Sequence, residues 1–174
     1  MSLAGRVDVL NERLLELARI VDDLRLTAVE DRPAGAEQRV LDSVADMVED
    51  LSGWVFEALA EAAAAGESVH AGSSRATALG HLYTCQSRLN RAANGGWAGL
   101  IPYETYAELV RLARDHGGEW PGWLAMLRLG LDSGREPLLA AHTALLACWY
   151  EAAAPFERSD QTPSGQNSQW RWLP

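Results

Sequence analysis

An apolar stripe between residues 40 and 65 constrains the fold of this chain more than any other feature. Its apolar residues recur at alternating steps of three and four, which predicts one face of a long α-helix. The series is Val40, Leu41, Val44, Met47, Val48, Leu51, Trp54, Val55, Ala58, Leu59 and Ala62. Because most turns contribute two neighbouring residues, this face needs partners on two sides, which favours a multi-helix bundle.

A second periodic segment runs from Leu3 to Glu30. Its a/d series is Val7, Leu10, Leu14, Leu17, Val21, Leu24 and Ala28. This seam is typical either of a core-facing bundle helix or of a dimeric coiled coil. The break around Pro33 is short, so the two long helices are expected to form an antiparallel hairpin. Leu15, Ile20 and Leu26 lie off the seam, which predicts a second contact face and a homodimer through the hairpins.

Shorter helical patterns separated by Gly, Pro and Ser follow the hairpin. The predicted breaks are Gly66–Ser74, Asn94–Gly96, Gly117–Gly118, Asp132–Gly134 and Pro155. The sequence therefore predicts an all-α, single-domain helical bundle of about six helices, a long antiparallel hairpin plus four shorter helices, over residues 1–156. Residues 157–174 have the composition of a flexible polar tail that ends in an aromatic motif.

Charge is distributed unevenly along the 174 residues. Residues 1–67 contain 15 acidic and 6 Arg side chains, whereas residues 68–174 contain 9 of each, so the first two helices account for the whole net charge of −9. This balance opposes nucleic-acid binding and favours another protein, basic or Arg-rich, as the partner. All 15 basic residues are Arg, a bias typical of a GC-rich bacterial genome.

No apolar run approaches the roughly 20 residues that cross a bilayer, and the N-terminus lacks the pattern of a signal peptide. The sequence thus predicts a cytoplasmic protein without a membrane partner. Cys85 and Cys148 each lie within a helical apolar pattern, which predicts buried, reduced thiols.

Residues for catalysis or metal binding are not arranged in a recognised motif. There is no Gly-x-Ser-x-Gly elbow, His-Glu-x-x-His or Cys-x-x-Cys. A metal site built from His81, Cys85 and His142 is conceivable, but satisfied core residues explain them as well. The carboxylates of the second helix fit a solvated face. We therefore predict no catalytic residues, metal or cofactor, while enzymatic activity stays open.

Two groups of residues are candidates for binding a partner. Arg88 and Arg91, near the end of the third helix, could hold an anion or an acidic partner, or they could simply complement the helix dipole. Trp170, Arg171 and Trp172 follow a polar linker. Both indoles lie on one side of an extended chain, so they could dock on the bundle itself or serve as a linear motif for another protein.

These features favour a non-enzymatic helical adaptor that acts by protein–protein interaction. The alternative is a helical bundle that binds a small molecule or acts as an enzyme, with an aromatic-lined cavity. That cavity would be lined by Trp97, Tyr103, Tyr106, Trp120 and His142.

Overall fold

The computed structural model describes residues 1–34, 37–94 and 100–159, whose regular secondary structure is entirely helical. The elements are α1 (Leu3–Arg25), a π-turn (Leu26–Glu30), α2 (Gln38–His70), α3 (Arg75–Asn94), α4 (Tyr103–His116), α5 (Trp120–Ser133) and α6 (Arg135–Ser159). The predicted all-α fold, with a long hairpin followed by shorter helices, is confirmed. None of these helices combines the length and the apolarity needed to cross a membrane.

The core of the hairpin follows the sequence pattern closely. All seven a/d residues, six in α1 and Ala28 in the π-turn, are buried, so this seam packs inside the bundle and not against a second coiled-coil strand. Leu51, in the middle of α2, is only 1% exposed, as its place in the stripe predicts. Val40, Met47, Trp54 and Leu59, on the flank of the stripe, are partly buried against the core.

Gly66 does not end α2, contrary to the prediction, because it lies inside the helix where α2 crosses α1. A Cβ at Gly66 would lie 3.4 Å from Asn11 Nδ2 and 3.5 Å from Val7 Cγ1. The Asn11 amide also donates to the Ala62 carbonyl at 3.1 Å. Gly66 therefore allows the two helices to approach, and α2 continues to His70.

Pro155 does not end α6 either, since this helix continues to Ser159. Proline has no N–H group, so the carbonyl of Glu151, four residues earlier, loses its helical donor. Arg75, at the start of α3, donates from Nη2 to this carbonyl at 3.5 Å. A donor from another helix thus takes the place of the missing amide.

The helices α5 and α6 together line α1 from end to end. The first half of α1 meets residues 136–147 of α6, whereas Ile20, Leu24 and Thr27 meet residues 126–133 of α5. The chain therefore runs through α5 and then α6 in the direction opposite to α1. Both α2 and α6 pack against α1 and α3, so α2 and α6 lie on opposite sides of the bundle. The remaining helix, α4, packs on α5.

A hydrogen bond joins the π-turn to α5. The Asp31 amide donates to the Leu26 carbonyl at 2.9 Å, five residues back, so the widened turn leaves the Thr27 carbonyl without its usual helical donor. The Trp123 indole Nε1 donates to this carbonyl at 2.7 Å. One side chain of α5 thus satisfies the group that the π-turn releases.

Candidate functional site

The most unusual surface of the described residues is the outward face of α6. Leu139, Thr143, Leu146 and Tyr150 follow one another there at steps of four, three and four, and all four side chains are exposed. Leu139 is 67% exposed and Tyr150 76%. We call these four residues the α6 stripe. Its spacing is that of a helix seam that packs on another helix.

The α6 stripe carries no charge. Between Glu136 and Glu151 there is no Asp, Glu, Lys or Arg, and the ionisable side chains are His142, Cys148 and Tyr150. Burial lowers the pKa of His142, which favours its neutral form. Exposed helix faces of monomeric proteins normally carry charged residues, and a contiguous apolar face marks a contact surface.

The opposite side of the bundle is acidic. The outer face of α2 carries Asp42, Asp46, Glu49, Asp50 and Glu57, all exposed. Arg32, Arg25 and Arg88 pair with Asp42, Glu49 and Glu57, respectively. Asp46 and Asp50 form no ion pair with another residue in the described part of the chain, so the excess negative charge of this face centres on them.

The two predicted anion-binding arginines differ in their surroundings. Arg88 Nε lies 2.7 Å from Glu57 Oε2, so this guanidinium joins α3 to α2. Arg91 lies in the last turn of α3 and is exposed. Because Arg88 already has a carboxylate partner, the two do not form a free cationic pair. Trp170, Arg171 and Trp172 lie outside the described residues.

The residues predicted to line an aromatic cavity lie in different places. Tyr103 is 83% exposed at the start of α4. Trp120 is buried and stacks on His116 with ring centroids 5.3 Å apart. Tyr106 lines a cleft between α4 and α5 to which neither Trp120 nor Tyr103 contributes.

His142 is partly buried on α6, and it does not line the cleft at Tyr106. Trp97 lies outside the described residues. An aromatic cavity that includes Trp97 stays a prediction.

The thiols are buried and strongly protonated. Burial raises the pKa of Cys85 to about 12 and that of Cys148 to about 11. A thiol with such a pKa carries almost no thiolate at neutral pH and is a poor nucleophile. His81 Nδ1 lies 2.7 Å from Glu61 Oε2 and is thus engaged by a carboxylate. Within the described residues, no three His, Cys, Asp or Glu side chains are placed to hold a metal ion.

A cleft that the sequence did not indicate lies between α1 and α6. It has a volume of about 470 Å³, and its walls are mostly apolar. Its lining includes Arg6, Val9 and Arg13 of α1 and Glu136, Leu139, Ala140, Thr143, Ala144 and Ala147 of α6. Nε of Arg6 is buried and has no hydrogen-bond partner in the described part of the chain.

The only sequence signal for this cleft is the row of Arg6, Val9 and Arg13 at helical spacing, next to the main seam. Such a row is equally typical of a solvated helix edge. Comparison with protein-family models, with curated proteins and with solved structures finds no match, so no relative supplies a function for either the α6 stripe or this cleft.

Proposed function

We propose that this protein is a non-enzymatic helical adaptor that forms a homodimer through the α6 stripe and offers the acidic face of α2 to a basic protein. The uncharged α6 stripe is the observation that supports this proposal most directly. A helix seam with a/d spacing is stabilised when a second helix covers it.

A second copy of the chain fits the α6 stripe because of where the charge lies. The excess negative charge belongs to residues 1–67, whereas residues 68–174 are neutral as a whole. Two copies that meet through α6 keep the acidic faces of their α2 helices on the outer sides, since α2 and α6 lie on opposite sides of the bundle. A dimer through the hairpins would instead bring two surfaces of charge −9 together.

The α6 stripe is also suited to pairing with itself. In an antiparallel pair of α6 helices, Leu139 of each copy lies opposite Tyr150 of the other, and Thr143 lies opposite Leu146. This arrangement is isologous, as a twofold dimer requires. Arg135 then comes within about one helical turn of Glu151 of the other copy, which adds an attraction at each end.

Two matched substitutions test the dimer. Leu146 is 51% exposed on α6 and Leu15 is 44% exposed on α1, so Leu146→Glu and Leu15→Glu place the same charge at similarly exposed sites. In sedimentation equilibrium we expect a dimer for the unchanged protein, a monomer for Leu146→Glu and a dimer for Leu15→Glu. A monomeric unchanged protein at every protein and salt concentration, or dissociation by Leu15→Glu alone, would contradict the proposal.

Binding of a basic partner is tested with a defined peptide. A nona-arginine peptide titrated calorimetrically should bind, and the affinity should fall as salt rises, because exposed charges are screened over about 10 Å at 0.1 M salt. Asp46→Asn with Asp50→Asn should weaken binding several-fold. The matched control, Glu104→Gln with Glu119→Gln, removes two exposed charges from the neutral half. If both double variants weakened peptide binding equally, the attraction would be non-specific and the proposed binding face on α2 would be wrong.

A further inference from the structure

We infer that the cleft between α1 and α6 binds a monocarboxylate with an apolar chain, with Arg6 as the counter-ion of the carboxylate. The cleft combines mostly apolar walls with an arginine whose Nε has no hydrogen-bond partner in the described part of the chain. Its volume of about 470 Å³ lies within the range of small-molecule sites.

Arg6 is the residue that distinguishes this cleft from a packing defect. A buried N–H group without an acceptor is unfavourable, and buried polar groups in proteins are nearly always paired. Burial raises the pKa of Cys148 and the positive charge of Arg6 partly offsets this increase, which indicates that the guanidinium lies close to the inner side of α6. An arginine side chain that turns toward the cleft can present its planar guanidinium to both oxygens of a carboxylate.

The walls of the cleft determine the rest of the ligand. Val9 on one side and Leu139, Ala140 and Ala147 on the other offer carbon surface, and the hydroxyl of Thr143 already donates to the Leu139 carbonyl. An alkyl chain gains free energy for each CH₂ that it buries against such walls. A ligand with a polar body would lose hydrogen bonds to water without replacement.

The charges around the cleft favour one negative charge on the ligand. Arg13, the second cation of the lining, lies 3.5 Å from Glu16 and is thus already balanced. Glu136 also lines the cleft and repels additional negative charge. A single carboxylate therefore matches Arg6, which forms no ion pair within the described residues, better than a doubly charged phosphate does.

Ligand binding at this cleft can be measured separately from the proposed dimer. Leu146 does not line the cleft, although Leu139 and Thr143 belong to both the cleft and the α6 stripe. The variant Leu146→Glu should therefore bind the same ligand even as a monomer. Failure of the dimer and failure of the ligand site are thus observed in separate measurements.

The experiment is a calorimetric titration of the full chain with decanoate, decanol and inorganic phosphate. We expect decanoate to bind with one site per chain and to raise the melting temperature, with decanol at least ten-fold weaker and phosphate without effect. Arg6→Gln should weaken decanoate binding ten-fold or more. The matched control Arg19→Gln removes an exposed arginine from the same helix and should not change binding.

A second variant tests the position of the alkyl chain. Ala140 lines the cleft and is partly exposed, so Ala140→Trp should fill it and abolish decanoate binding while circular dichroism shows an unchanged helix content. The inference is overturned if decanoate does not bind, if Arg6→Gln and Arg19→Gln behave alike, if decanol binds as well as decanoate, or if Ala140→Trp binds normally.

Discussion

The two sides of α1 are packed by helices of different kinds. On one side, α2 buries branched side chains such as Leu51 and turns its carboxylates to the solvent. On the other side, α6 buries mainly small residues such as Ala141 and Cys148, and leaves Leu139 and Tyr150 outside. Polarity therefore separates the two faces of α2, whereas α6 is apolar on both faces.

This difference separates the residues that pack within the chain from those that we propose to contact a second copy. Small residues on the inner face let α6 approach α1 and α3 closely, as small residues do wherever helices cross at short distance. Large apolar residues on the outer face do nothing for the packing of this chain. Their exposure is unfavourable in water, so they are best explained by a second surface that covers them.

The largest effect expected from this comparison concerns the two kinds of leucine. Leu51→Ala should lower the free energy of unfolding by about 2–5 kcal/mol, because the lost transfer energy and the cavity add together. Leu139→Ala, at an exposed position, should change it by less than about 0.5 kcal/mol when the protein is dilute and monomeric. Both values follow from urea denaturation. Equal losses would mean that Leu139 is part of the core.

The buried thiol of Cys85 on α3 gives a pH dependence of intermediate size. The pKa of Cys85 is raised from its ordinary value near 9 to about 12, so the folded state keeps the proton that the unfolded state releases above pH 9. Stability is therefore full below pH 9 and falls between pH 9 and 12, by about 1.4 kcal/mol per pH unit for this thiol.

Denaturation at several pH values should show this slope, and Cys85→Ala should remove the contribution of Cys85. A slope that persists unchanged in Cys85→Ala would place its cause in other groups.

The smallest effect compares two helical glycines. A Cβ at Gly53, in the outer face of α2, would meet nothing within 4 Å, so Gly53→Ala should stabilise the protein by about 0.4–1 kcal/mol. A Cβ at Gly130 of α5 would lie 3.0 Å from Leu24 Cδ1. Gly130→Ala should therefore lower the free energy of unfolding by about 1 kcal/mol through overpacking. Thermal melts of the two variants should shift in opposite directions, and a gain at both sites would show that α5 can move away from α1.

The hairpin could be predicted from the sequence because its apolar and charged residues alternate with the helical period. Val7 through Ala28 are buried where the a/d pattern places them. The ends of α2 and α6 could not be predicted, since Gly66 and Pro155 usually break helices. Here Gly66 faces a crossing helix, and Arg75, eighty residues before Pro155, donates to the carbonyl that Pro155 leaves free.

The candidate surfaces were harder to predict than the fold. Leu138 and Leu139 are neighbours in an apolar run, yet one is buried and the other exposed. No charged residue in this run marks its outer side. Arg6 looks like any polar residue at a helix edge, and only the position of α6 shows that its Nε is enclosed. Both the α6 stripe and the cleft beside it could therefore be identified only from the structure.

The hydrogen bond between Trp123 and the π-turn has a consequence for how this protein can be observed. The Nε1 proton of Trp123 in α5 is donated to the carbonyl of Thr27 in the π-turn. The NMR resonance of this proton and its exchange with deuterium therefore report the separation of α5 from the π-turn without any label. Deleting one residue from Leu26–Glu30 would restore a regular helical turn and withdraw this acceptor. The indole proton would then exchange faster, while the rest of the bundle would keep its protection.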